Sequence, residues 1–489
     1  MRTCHKHNPP TNTPFTNPNQ NKELSHPILQ TMKTHLLLLL FFSSSISAFH
    51  PLDNHLINCG STTQIRHDNR LFLPDSDAPR SSIKYFNPSS APSDLYRTAR
   101  IFTRPSSYEL DITATGTHLV RLHFYPISSS SSPSLNPSAA KFHVSATGYL
   151  LLTDFVVPIG VETPIVKEFL IKLEKGRVLI TFTPVCGRSF AFVNAIEVVS
   201  APGDLIADVA KSVTPLGVSD FRGLSSRALE LVHRVNVGGP KVTPFNDTLW
   251  RTWVPDLGFF KSAASASKPV YFGGRIQYRE GGASREVAPD SVYNTARELN
   301  REAEGFKNLT WVFAVKPGHQ YLARMHFCDI VTPALNQLFF NVYVNGYSAY
   351  EDLDISEATY MLASPYYVDF VASSDKAGTL SVSVGPSKRS SPSFVNAILN
   401  GVEIMRMSDT MGCLGDPSVV RPSEGGYSIF MRAVMGGIAF ATLVVIVYVF
   451  ALRRGFARDY IPWTPLPTES SDGKAWLKSS AMPGKMGSF

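Results

Sequence analysis

Charged side chains are scarce in this chain: Asp, Glu, Lys and Arg make up 17% of its 489 residues, against roughly 25% in an average soluble domain. Cysteine is sparse too. There are five, Cys4, Cys59, Cys186, Cys328 and Cys413, and their wide spacing excludes a compact CxxC zinc knuckle. Helical periodicity is nearly absent before residue 433. Net positive charge is nearly absent from the middle of the chain. The net charge is +7, but residues 1–48 hold +3 and residues 453–489 another +3. A nucleic-acid binder concentrates its charge on its folded module, so no nucleic-acid partner is expected. The basic residues instead flank the hydrophobic segments, as membrane topology requires.

What is present is Ser, Thr, Pro and Gly in quantity, and short strand-like runs between them. That mixture suits a secreted all-β protein. Cys4 lies upstream of the candidate signal segment. The remaining four, Cys59, Cys186, Cys328 and Cys413, allow two disulfides in an oxidising compartment, in any of three pairings. Cys59–Cys186 and Cys328–Cys413 are favoured because each pair falls within one repeat. Buried free thiols are the alternative.

Two hydrophobic segments set the topology. Lys33-Thr34-His35 precedes a Leu/Phe run at 36–42, and small residues follow to Ala48. This is the pattern of a secretory signal, too short to span a bilayer. Cleavage is expected near Ala48 and translation from Met32. Residues 433–452 carry no charge over 20 positions, about 30 Å of helix, enough to cross a membrane. Arg453, Arg454 and Arg458 mark the following side as cytoplasmic. The chain is therefore expected in the plasma membrane as a single-pass type I protein. Asn246-Asp-Thr and Asn308-Leu-Thr are candidate N-glycosylation sites on its outer side.

The outer part repeats itself. Tyr96-Arg-Thr-Ala-Arg100 recurs as Tyr293-Asn-Thr-Ala-Arg297. His118-Leu-Val-Arg-Leu-His-Phe124 recurs as Tyr321-Leu-Ala-Arg-Met-His-Phe327, and Phe192-Val-Asn-Ala-Ile196 as Phe394-Val-Asn-Ala-Ile398. The order is kept and the spacing is nearly constant, which indicates duplication. The shared stretches alternate apolar and polar residues, the pattern of strands with one buried face. The expected division is a leader at 1–48, a first β-sandwich at 49–203 and a second at 204–407. A stalk at 408–432, the helix at 433–452 and a cytoplasmic tail at 453–489 complete it. Residues 128–138 form a Ser/Pro loop.

These motifs resemble the plant malectin-like receptor kinases of the FERONIA/THESEUS type. So do Leu56-Ile-Asn-Cys-Gly-Ser61, Leu249-Trp-Arg-Thr-Trp-Val-Pro-Asp256, the stretch from Asn308 through Ile330 to Gly346, and Trp-Thr-Pro-Leu-Pro at 463–467. The resemblance implies two tandem malectin-like β-sandwich domains of jelly-roll type. It also implies sensing of cell-wall carbohydrate or of secreted RALF-type peptides, with a GPI-anchored co-receptor and pectin as a further ligand. Family members continue into a Ser/Thr kinase. Residues 453–489 contain no Gly-rich loop, Val-Ala-Ile-Lys, His-Arg-Asp or Asp-Phe-Gly, so this stretch is expected to transfer no phosphate. A decoy, a co-receptor scaffold or a lectin-like membrane protein is the alternative reading.

No cofactor or metal is expected. Candidate ligand contacts are Arg121 and His123 with their counterparts Arg324 and His326, which share a strand face and suit an acidic ligand, although such pairs on a β-sandwich more often make structural salt bridges and hydrogen bonds. Trp250, Trp253, Tyr271, Phe272, Tyr366 and Tyr367 are aromatics that could stack on sugar rings or fill a core. Glu351, Asp352 and Asp354 are carboxylates a glycosidase could use, but nothing in the sequence sets their separation. The short join at 201–204 leads to the expectation of a ligand cleft shared between the two sandwiches.

Overall fold

β-branched and aromatic residues alternating with polar ones dictate strands, and strands dominate the computed structural model of this chain. It describes residues 49–75, 82–86, 91–126, 140–158, 162–279, 283–300, 308–392 and 394–415. The signal segment, the 128–138 loop, the apolar run at 433–452 and the tail lie outside the described residues. Among the described residues no helix is long and apolar enough to cross a membrane.

Each repeat supplies a four-stranded sheet. In the first half it is built from Ser106–Ile112, Gly176–Pro184, Lys141–Ala146 and Tyr149–Val156, and in the second from Leu309–Ala314, Thr379–Pro386, Phe340–Val344 and Tyr347–Leu353. Opposite both lies one continuous 13-stranded sheet. Val120, Leu122 and Phe124 on that sheet meet Tyr108, Phe142 and Phe182 of the facing one, and Met325 and Phe327 meet Trp311 and Phe340 in the same way. Each core is therefore the filling of a sandwich.

The continuous sheet joins the halves. Ile165–Leu173 of the first half pairs antiparallel with Leu229–Asn236 of the second, Phe169 against Glu230 and Leu170 against Leu229. The linking segment packs into the seam: Leu205 and Ile206 are buried with Leu119, Leu170, Leu249, Leu322 and Met405. Each such side chain contributes about 1.5–3 kcal/mol. The described residues consequently belong to one compact unit.

After this link the chain forms a hairpin, Val209–Thr214 and Gly217–Arg222. Its first strand lies parallel to Pro365–Ser373, with Lys211 against Phe370 and Ser212 against Val371. Phe169 faces Val120, and Phe370 faces Ala323. The hairpin thus occupies on the second half the edge that Leu229–Asn236 occupies on the first.

Three sequence-based expectations change. First, the repeated Phe-Val-Asn-Ala-Ile stretches are out of register. Glu197 faces Arg121 and Glu403 faces Arg324, so the counterpart of Asn194 is Asn400, not Asn396. Asn194 Nδ2 donates to Thr98 O, and Asn400 Nδ2 to Thr295 O. Second, the start of the expected stalk is folded, because residues 408–415 return to the first half. Third, Cys59, Cys186, Cys328 and Cys413 are all free thiols. Cys413 bridges to Leu150 of the first half, whereas Cys328 ends a strand deep in the second. Cys59 is buried beside Tyr108 and Asp75, and Cys186 is exposed. Neither favoured pair is brought together.

Candidate functional site

Alternation in the Arg–His strands predicted one buried and one open face; both are buried. The linker and the loop around Leu249 cover the second face. Arg121, His123, Arg324 and His326 are at most 4% exposed, so the structure corrects their candidacy as ligand contacts. Arg121 sits between Glu168 and Glu197 on neighbouring strands. It donates to Glu168 at 2.7 Å, to Glu197 at 3.0 Å and to Leu249 O at 2.8 Å. Arg70 donates bidentately to Glu197 at 2.6 and 3.0 Å. Arg234 then crosses the seam, donating to Glu168 of the first half and Glu403 of the second, each at 2.6 Å. Burial alone would raise the Glu168 carboxyl, but Arg234 and Arg121 hold it down at about 2. Glu403 is also held low against burial, chiefly by Arg234 and His326.

The duplication reappears as chemistry. Tyr96 Oη lies 2.9 Å from His123 Nδ1, whose Nε2 lies 2.9 Å from Glu197. Tyr293, His326 and Glu403 repeat the chain at 3.1 and 3.3 Å. Burial lowers the His326 pKa despite Glu403. The two ring nitrogens of His326 thus link the Tyr293 hydroxyl to the Glu403 carboxylate. The carboxylates of this ladder went unnoticed in the sequence. Glu197 and Glu403 each interrupt an apolar strand, a signal that a paired buried charge sits there.

The seam leaves only about 10 Å³ between Leu119, Leu170, Arg234 and Met405, space for a water at most. At this point of the seam the linker and both halves pack closely. An open cleft of about 520 Å³ lies instead where the linker and its hairpin meet the Pro365–Ser373 strand, lined by Asp204, Lys211, Asp220, Tyr366 and Tyr367 among others. Both tyrosines named from the sequence are here, half-buried. Arg324 holds Asp369 with two 2.8 Å bonds, and its guanidinium lies 4.4 Å from the centre of the Tyr367 ring. Tyr367 Oη donates to Asp204 O at 3.2 Å, which ties the cleft floor to the linker. Burial pushes the Tyr366 hydroxyl up to about 12, helped by Tyr350 and Tyr367. A second groove of about 440 Å³ lies between the hairpin and Ser348–Glu351, and Lys211 lines both spaces. Phenol rings, carboxylates and one ammonium suit a peptide with polar side chains, or a sugar whose C–H face stacks on a ring.

The remaining candidates separate by burial. Trp253 is fully buried, with its Nε1–H on Asp247 at 2.9 Å. Trp250 is half-buried, and the Arg70 guanidinium lies 5.0 Å from its ring. Tyr271 is exposed, and Phe272 is half-buried against a small cluster around Trp253. Asp354 caps a short helix and Asp352 accepts from Ser387, while Glu351 remains exposed. Asn246 and Asn308 are exposed.

A malectin-like domain model matches residues 57–407. A probable receptor-like protein kinase of Arabidopsis thaliana, At5g24010, is 42% identical over 453 residues, covering 88% of this chain and 54% of the relative. Receptor-like protein kinase THESEUS 1 from the same plant is 38% identical over 405 residues, covering 79% and 46%. The chain thus spans about half the length of these relatives. Among solved structures, FER in complex with the plant peptide RALF23 and LLG2 is 32% identical with a TM-score of 0.65, covering 76% of this chain and all of that one. The chain belongs to the malectin-like family, and its relatives are plant receptor-like kinases of the FERONIA/THESEUS type.

Proposed function

We propose that this chain is the sensing part of a single-pass plasma-membrane receptor that binds a RALF-type peptide together with a GPI-anchored co-receptor. Residues 49–432 face outward as two tandem malectin-like domains, 433–452 cross the membrane, and Asn246 and Asn308 carry glycans. The observation that carries the reading is the likeness to FER solved with RALF23 and LLG2. The cleft beside the linker supports the reading: it is open, lined by Tyr366, Tyr367, Lys211 and two exposed aspartates, and large enough for several side chains.

The test is titration of the purified ectodomain with RALF-type peptides, with and without co-receptor. Tyr366→Ala and Lys211→Glu should each weaken binding about tenfold or more, equal to about 1.4 kcal/mol. Tyr271→Ala, an exposed aromatic outside the cleft lining, should leave it unchanged. Unchanged binding in both cleft variants would move the site elsewhere, and no binding by the wild type would reject the peptide reading.

A further inference from the structure

The second half ends with the strand Gly401–Met407, but the chain does not leave from there. Ser408 N donates to Ala228 O at 2.8 Å and Ser408 Oγ accepts from Ala228 N at 3.1 Å. Asp409 then turns the chain: its carboxylate accepts from the backbone N–H of Met411 and Cys413, both at 2.8 Å. The next residues lie along the free edge of Tyr149–Val156, the last strand in the first half's four-stranded sheet. Leu150 N donates to Gly412 O and Leu414 N to Leu150 O, each at 3.0 Å. Gly412 has φ +78, and a Cβ there would stand 2.7 Å from Gly148 O. Leu414 is fully buried in the first-half core.

We propose that residues 408–415 are a latch that closes over the edge of the first half and opens on its own, before either sandwich unfolds. Its hold on that half is slight: two backbone bonds and one apolar side chain, beside a seam secured by a paired sheet and a ladder of buried ions. Local opening takes the least-secured elements first. Opening bares the N–H and C=O of Leu150 on the Tyr149–Val156 edge, which lengthens a free edge open to strand addition. It also frees eight residues, an extension of about 26–29 Å when drawn straight. Tension on the chain beyond residue 416 would act on this segment first, and would be delivered to the first half rather than to the second.

The test is native-state hydrogen exchange on the full chain, combined with alkylation of Cys413. In the wild type the Leu150 and Leu414 amides should exchange together, well ahead of Val120 and Met325 in the two sandwich cores. Leu414→Ala should speed both latch amides and Cys413 alkylation by roughly 30-fold or more, with the latch amides still exchanging well ahead of Val120 and Met325. Gly412→Ala, which leaves the core untouched, should act in the same direction. Exchange of Leu150 at the rate of Val120 in the wild type would overturn the proposal. So would a denaturant dependence of Leu150 and Leu414 exchange as steep as that of Val120, since the latch would then open only with the whole fold.

Discussion

Arg234 is the side chain whose replacement should most clearly separate the two halves energetically. Its guanidinium donates to Glu168 on one side of the seam and Glu403 on the other, and lies 5.5 Å from the Trp253 ring centre. Arg234→Met keeps the length of the side chain and removes the charge. Glu168 keeps Arg121, but Glu403 is left with His326 and complete burial. Removing one partner of a buried ion pair costs about 3–5 kcal/mol. In a unit of this size that lowers the melting midpoint by about 4–7 °C. The pH dependence carries a sign. In the wild type both carboxyls are held below the ordinary value of 4.5. Their contribution is therefore complete above that value and fades only as pH falls through the folded values, about 2 for Glu168. Without Arg234, burial drives the Glu403 carboxyl above its unfolded value. The variant then loses stability at neutral pH and regains part of it on acidification. Calorimetry at pH 7 and pH 5 should show a wide gap to wild type that narrows at the lower pH. Adding Glu403→Gln to Arg234→Met should recover about 1 kcal/mol or more at pH 7. A midpoint shift below about 1 °C, or a gap independent of pH, would refute the reasoning.

Gly60→Ala and Gly238→Ala should each destabilise the fold by about 2 kcal/mol or more: both glycines have positive φ, and a Cβ would stand 2.1 Å from Ala99 O and Ala296 O respectively. Matched losses in urea titrations would verify that they are equivalent positions, and a neutral variant would contradict the close approach. With iodoacetamide, Cys186 should react fastest, because it is exposed and the Arg188 and Ser189 N–H and hydroxyl donors lower its pKa. Cys59 and Cys328 should react only on unfolding, and a mass showing no alkylatable thiol would restore the disulfides. Asn246→Gln and Asn308→Gln should each remove one endoglycosidase-sensitive step in mobility. An unchanged pattern in either variant rejects that site.

The strands were legible because alternation is a local signal: His118 to Phe124 and Tyr321 to Phe327 lie in strands as the pattern requires. Duplication was legible from matched motifs. The fate of the polar face was not. Whether Arg121 and Arg324 meet water depends on which distant segment covers them, and Leu205, Ile206 and Leu249 come from elsewhere in the chain. Register failed for a related reason. Phe394-Val-Asn-Ala-Ile398 copies the earlier motif in letters, yet Glu403 is fixed opposite Arg324 by pairing across the sheet. Tyr366 and Tyr367 were identifiable as aromatics, but their cleft exists only because the linker hairpin folds against their strand. The latch was hidden by composition, since its Gly, Ser and Asp residues read as stalk while Leu414 alone signals burial.

The hairpin at 209–222 has a bearing on how many repeats such a molecule can contain. Phe169 and Leu170 of the first half accept the opening strand of the next repeat, and that rule could be applied again at Phe370 and Val371 to add a third, then a fourth. The corresponding edge there already holds Lys211 and Ser212. A segment spent in joining the two halves folds forward to occupy the place of a successor. The same stroke moves the sheet's edge outward to Gly217–Arg222, whose residues are mostly exposed. The linker thus caps the second half's sheet edge with its own hairpin, and Gly217–Arg222 becomes the outermost strand.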